Sequence, residues 1–349
     1  MGTLDLLRPE IRQLAAYRPA DQVAGLVRLN ANENPWEPAR TPATGGLNRY
    51  PDARPTELGR RLAALYGVAE TQLLVTRGSS EAIDVVIRGF CAAGDSEIIL
   101  SPPTFGMYEV YGRIQGTSIR LVPLDRARNF QLDVQRILTE WQAQTRLVFV
   151  CSPNNPTGSV VPASEIRRLC SGLAGRGVVV LDAAYAEFTE QDESVALLAE
   201  FDNLVVLRTL SKAFGLAGVR CGALLARPEL VDLLGRTLPP YCFPVTSQAA
   251  VLQVLDQAAE RCAAQIETLK SERRRMTQAL AGHRHVRTLW PSEANFLLAE
   301  VDDAAAFIAA ARNGGVLVRD FSMDQWTPGC VRITVGTPAE NDQLLKAIA

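Results

Sequence analysis

Between residues 73 and 209 the chain repeats one pattern, a short run of Val, Ile and Leu followed by a stretch with helical spacing. The runs are LLVT (73–76), EIILS (97–101), SIRLVPL (118–124), RLVFVCS (146–152), GVVVLDA (177–183) and NLVVLRT (203–209). An apolar run without alternation suits a strand covered on both faces, which is the condition of strands in a parallel sheet. The segments between them supply the crossovers. PTELGRRLAALYG places Leu58, Leu62 and Leu65 at helical spacing, and SSEAIDVVIRGF opens with serine and carries acids in its first turn. After residue 244 comes a long helical stretch, and NFLLAEV, VLVRD and CVRITVG then mix strands with helices as a smaller α+β unit would. The fold class expected is α/β, with a mostly parallel central sheet in a large domain over 45–240. Residues 1–44 and 241–349 form an N-terminal segment plus a small C-terminal domain.

Composition narrows the possible functions. The 36 basic and 38 acidic residues are spread along the chain without a basic block, which argues against nucleic acid as a partner. No apolar run approaches the ~18–20 residues needed to cross a bilayer. The opening MGTLDLLRPEIRQL lacks the apolar core of a signal peptide, so a soluble, cytoplasmic protein is expected. The seven cysteines include no C-x-x-C pair and sit mostly in apolar stretches, as buried thiols of a reducing compartment do. Both histidines lie in GHRHV, a charged stretch that reads as surface, so neither a metal site nor a Ser-His-Asp triad is expected.

Lysine is the informative count. Only Lys212, Lys270 and Lys346 occur among the 36 basic residues. Lys270 and Lys346 occupy amphipathic-helix settings where a solvated charge is ordinary. Lys212 stands in TLSKAFGLAG with almost nothing charged nearby, an environment that makes a lysine amine nucleophilic.

Ligands of open parallel sheets bind beyond the carboxyl ends of the strands, so the residues there are candidates. After LLVT, Gly78-Ser79-Ser80 opens a helix whose free N–H groups make a phosphate seat, although glycine before a helix is common. After EIILS, Phe105 is either a core residue or a platform for a flat ring. Pro153-Asn154-Asn155-Pro156 is a rigid turn whose paired amides turn chemistry does not explain well. Asp182 ends an apolar strand, where a carboxylate asks for a cationic partner, with Tyr185 three residues on. Ser211 precedes Lys212, and Arg220 lies amid apolar residues, a setting that calls for an anion such as phosphate. Pyridoxal 5′-phosphate needs this set: a lysine for the Schiff base, an acid for the pyridine nitrogen and an anchored phosphate. Neither G-x-G-x-x-G nor G-x-x-x-x-G-K-[ST] is present, against a dinucleotide or P-loop reading.

The strings SPNNPTG, LDAAY and TLSKAFGLAGVRCG resemble the fold-type I pyridoxal-phosphate aminotransferases, and LNANENP, LNRYPD, PPTFGMY and VRITVGT resemble the histidinol-phosphate aminotransferase family. The resemblance runs from about residue 8 to the C-terminus. It implies an enzyme that passes an amino group between histidinol phosphate and 2-oxoglutarate, giving imidazole-acetol phosphate and glutamate in histidine biosynthesis. By position, it makes Lys212 the Schiff-base lysine and Asp182 the partner of the ring nitrogen. Asn155 and Tyr185 would bond the ring oxygen, Phe105 would stack on the ring, and Ser79, Ser80, Ser211 and Arg220 would cradle the phosphate. Arg332, Arg319, Tyr17, Tyr50, Asn155 and Asn32 would line the substrate mouth, with Tyr50 reaching in from the partner of a homodimer. Three departures stand out: Ala183 where Glu is common, Phe105 where Tyr is frequent, and Ser79-Ser80 for a common Ala-Asp pair. None removes a group that holds the cofactor. The alternatives are an aromatic amino acid aminotransferase or a threonine-phosphate decarboxylase of the same fold. A non-catalytic regulator would need a DNA-binding domain, and residues 1–30 are too few and not basic.

Overall fold

The structure, a computed structural model, describes residues 25–29, 32, 52–257 and 259–349. A short strand β1 (Val27–Arg28) comes first. The six apolar runs become β2 (Leu73–Thr76), β3 (Glu97–Leu100), β4 (Ser118–Leu121), β5 (Thr145–Cys151), β6 (Val178–Asp182) and β7 (Leu204–Thr209). With β8 (Gly222–Leu225) they form one seven-stranded sheet of order β2-β8-β7-β6-β5-β3-β4. The pairs among β3 to β7 are parallel, and only β8 runs antiparallel, to β7 and to β2.

Alternation along β5 shows why the runs are continuously apolar. Val148 and Val150 pack on one face with Leu58, Leu62 and Ile166, whereas Leu147 and Phe149 pack on the other with Ile83 and Val86. Each face thus has its own helical layer, as crossover connections require. Strand β4, at the edge, is the one whose residues stay partly exposed.

Beyond the helices Val245–Gln257 and Ala259–Ala281 lies a second, antiparallel sheet. It comprises β9 (Val286–Leu289), β10 (Phe296–Val301), β12 (Arg319–Asp320) and β13 (Cys330–Thr334) in the order β12-β13-β10-β9. Strand β11 (Val316–Leu317) instead pairs in parallel with β1, matching Val27 to Val316. Six of the seven cysteines are buried, and no helix of the described residues is long and apolar enough to cross a membrane.

Two expectations need correction. The helix Thr56–Tyr66 buries Leu58, Leu62 and Tyr66, while Leu65 remains 39% exposed. Residues four apart define the inner stripe here, and position 65 falls to its side. Lys270 is buried: its Nζ donates to the Thr189 carbonyl at 3.2 Å and pairs with Glu190 and Glu267. Its neighbour Arg273 donates to the carbonyls of Phe188 and Ala294, each at 3.0 Å.

Candidate active site

The parallel register brings the chemistry together at the carboxyl ends of the central strands. Cys151 and Asp182 are partners at the ends of β5 and β6, and Asp182 is matched to Leu207 on β7. Lys212 follows three residues after β7. It is half-buried, and its Nζ lies 5.7 Å from the centre of the Tyr185 ring.

No cation forms an ion pair with Asp182 among the described residues. Its carboxylate accepts from the Tyr108 hydroxyl at 2.7 Å and from the Ala184 amide at 3.2 Å. Burial pushes its pKa up to about 6, against the two hydrogen bonds and the charge of Lys212 that favour ionisation. From the protein side, two neutral donors thus hold this carboxylate. Tyr108 is the residue that sequence reasoning missed; the signal was its place three residues after Phe105, one helical turn on. Its ring stacks on Phe149 at 4.7 Å and meets Phe105 edge-on at 5.6 Å.

A second group forms where the start of the helix Ser79–Phe90 meets the turn after β7. Gly78 caps that helix at φ +79°, and no side chain closes its N-terminus. Arg220 reaches the same place: a Cβ on Gly78 would come within 2.7 Å of its Nη2. Its Nη1 lies 3.4 Å from Ser211 Oγ, which also accepts from Thr209 Oγ1 at 2.9 Å. Arg220 itself has φ +59°, a left-handed conformation uncommon outside glycine and characteristic of functional turns. Gly222 lets the turn approach this closely, since a Cβ there would lie 2.7 Å from the Gly78 carbonyl carbon.

The third group comes from the second sheet. Arg332 on β13 is 7% exposed, donates to Asn155 Oδ1, and spreads its guanidinium over Phe296 at 5.2 Å and Phe321 at 5.5 Å. Arg319 is its register partner on β12, so both side chains leave the same face of the pair. Asn32, buried at φ +52°, donates through Nδ2 to the Tyr185 hydroxyl at 3.3 Å and accepts from Thr334 Oγ1 at 2.8 Å. Asn154 clamps the turn beside Asn155 by donating to the Pro103 carbonyl and to Thr157 Oγ1, both at 2.8 Å. Tyr17 and Tyr50 lie outside the described residues.

The family model described as Aminotransferase class I and II matches residues 24–348. This chain belongs to the class I and II aminotransferases. Among its relatives, a protein of Xylella fastidiosa named histidinol-phosphate aminotransferase is 43% identical over 351 residues, 99% of this chain and 96% of that one. A protein of the same name from Xanthomonas campestris is 43% identical over 99% and 97%. Among solved structures, the histidinol-phosphate aminotransferase of Sinorhizobium meliloti in complex with pyridoxal-5′-phosphate superposes with a TM-score of 0.85 at 22% identity, covering 99% of this chain and 96% of that one. The L-threonine-O-3-phosphate decarboxylase of Porphyromonas gingivalis superposes at 0.75 with 22% identity, over 93% and 98%. The fold of this aminotransferase is fold-type I, and that fold serves more than one reaction.

The donor set of this aminotransferase fits pyridoxal phosphate. The cradle that a Cβ on Gly78 would fill offers an uncapped helix start, a hydroxyl and a guanidinium, the equipment of a phosphate seat. The buried Asp182 carboxylate, lacking an ion pair, suits a protonated heterocyclic nitrogen.

Proposed function

We propose that the chain transfers the amino group of histidinol phosphate to 2-oxoglutarate, giving imidazole-acetol phosphate and glutamate, with pyridoxal 5′-phosphate as cofactor. The observation that carries this reading is 43% identity over nearly the whole chain to proteins named for that activity. When bound, the cofactor supplies an aldehyde carbon that takes up the amino group and a conjugated ring that accepts electrons.

The chain's own residues then divide the work. Lys212 would hold the cofactor covalently through Nζ and, once displaced by the substrate amine, would use the same nitrogen to move the Cα proton. Asp182 would hold the proton on the ring nitrogen. Asn155 and Tyr185 would bond the ring oxygen and Phe105 would cover one face. Ser79 and Ser80 through their N–H groups, with Ser211 and Arg220, would anchor the phosphate. Arg332 and Arg319 would receive the substrate phosphate in one half-reaction and a carboxylate of 2-oxoglutarate in the other; two planar forks from neighbouring strands suit a doubly charged anion. Asn32 would fix Tyr185 from the mouth, with Tyr17 and Tyr50 completing the contacts to substrate phosphate.

This reading includes a cytoplasmic homodimer in which Tyr50 serves the partner's site. It divides the chain into a large domain (45–240) and a small one (1–44 with 241–349), a division supported by the separate seven-stranded and four-stranded sheets. Incubation with histidinol phosphate and 2-oxoglutarate, with phenylalanine and phosphothreonine in parallel, tests it. Glutamate formed from histidinol phosphate is the expected result. Carbon dioxide from phosphothreonine, or glutamate from phenylalanine alone, would replace the reading with a decarboxylase or an aromatic aminotransferase.

A further inference from the structure

The geometry points to Tyr108 as a positioning residue for the reaction: its hydroxyl keeps Asp182 ionised and fixed, so that the acid can hold the proton on the cofactor's ring nitrogen. This rests on the cofactor and Asp182 assignments proposed above. Tyr108 is the second residue of its helix (Met107–Gln115), three positions after Phe105, and is wholly buried. Phe149 lies parallel to its ring and Phe105 stands against its edge, so the hydroxyl cannot swing away from Asp182 Oδ2, 2.7 Å distant.

The direction of that hydrogen bond follows from the surroundings. Burial and the nearby carboxylate hold the phenol well above its ordinary pKa, so it keeps its proton and donates. The other donor beside it, the Cys151 thiol, points its hydrogen to the Pro153 carbonyl at 3.4 Å. The titratable groups that face Asp182 are therefore Tyr108 from its helix, Cys151 from β5, Tyr185 from the turn after β6 and Lys212 from the turn after β7. Of these, Tyr108 and Lys212 favour the ionised carboxylate. Lys212 is committed to the cofactor in the resting enzyme, which leaves the phenol as the side-chain donor that opposes burial.

Without the hydroxyl, the proton shared between Asp182 and the ring nitrogen would shift towards Asp182. The ring would lose positive charge, and the nitrogen joining Lys212 to the cofactor would hold its own proton to higher pH. The test is the holoenzyme of Tyr108→Phe, titrated against pH through the visible absorption of the bound cofactor. The midpoint is expected to rise by about one pH unit, in the direction Asp182→Asn moves it, with kcat lower by about tenfold and KM within about twofold. In an Asp182→Asn background the same substitution should add little. An unmoved midpoint with unchanged kcat, or a full effect persisting without the Asp182 charge, overturns the proposal. Should Tyr108→Phe not accumulate as folded protein, recovery of the double variant supports the proposal, and its equal loss overturns it by making Tyr108 a packing residue. Failure of the wild-type protein to develop the visible band would overturn the cofactor assignment instead.

Discussion

Asp182 illustrates what a single residue reveals and conceals. Its place at the end of an apolar strand is legible in sequence, but the neutral partner that settles it comes from 74 positions away and leaves no local pattern. The raised pKa carries a stability consequence. In the cofactor-free protein the folded state holds a proton that the unfolded chain has already lost, so stability falls as pH rises from about 4 to about 6. The penalty is at most about 3 kcal/mol and stays constant above that window. Asp182→Asn should therefore stabilise cofactor-free protein by about 1–3 kcal/mol at pH 8 and by almost nothing at pH 4, read from urea unfolding. The same substitution should slow turnover of the loaded enzyme by orders of magnitude. Lys212 was legible by scarcity alone. Lys212→Ala is expected to bind cofactor without the visible band and to lose essentially all turnover; retained activity would remove it from the mechanism.

At the scale of elements, the parallel strands were readable because burial on both faces writes itself into composition. Strand β8 was not, since its four residues, GALL, follow directly on the Arg220 turn and no periodicity marks so short a segment. The buried pair Lys270 and Arg273 was hidden for a different reason: long side chains on a helix look solvated until the loop they clamp is known. Arg273→Met removes two bonds to carbonyls from a charged donor and should cost about 2–4 kcal/mol, measurable as a lower urea midpoint with an unchanged slope. Gly78→Ala tests the turn beneath the proposed phosphate seat. Its φ of +79° with ψ of 170° is a conformation left almost entirely to glycine and costs another residue about 1–3 kcal/mol, and the added methyl displaces Arg220. Cofactor affinity of the apoenzyme should drop by about tenfold or more in a fluorescence titration, whereas Gly106→Ala, where a Cβ meets nothing within 4 Å, should leave it unchanged.

For the molecule as a whole, the sequence pattern conveyed a large parallel-sheet unit and a smaller mixed one, with the proposed cofactor groups on the first and the proposed substrate arginines on the second. It could not convey that Asn155 and Arg332, 177 residues apart, meet in a hydrogen bond that is one of several between these halves. Subunit complementation tests the proposed dimer. If Tyr50 serves the neighbouring site, refolding inactive Lys212→Ala together with inactive Tyr50→Ala should restore about a quarter of the sites to wild-type composition. Activity no greater than the sum of the separate variants would assign Tyr50 to its own subunit.

The short pairing of Val27–Arg28 with Val316–Leu317, and of Asn32 with Thr334, closes a loop of some three hundred residues. A ribosome making the chain at ~5–20 residues per second delivers the first half of that contact on the order of tens of seconds before the second. This pairing therefore forms only after most of the chain has been made. A nascent chain stalled before residue 316 would carry Lys212, Asp182 and Arg220 with its N-terminal strand still unpaired.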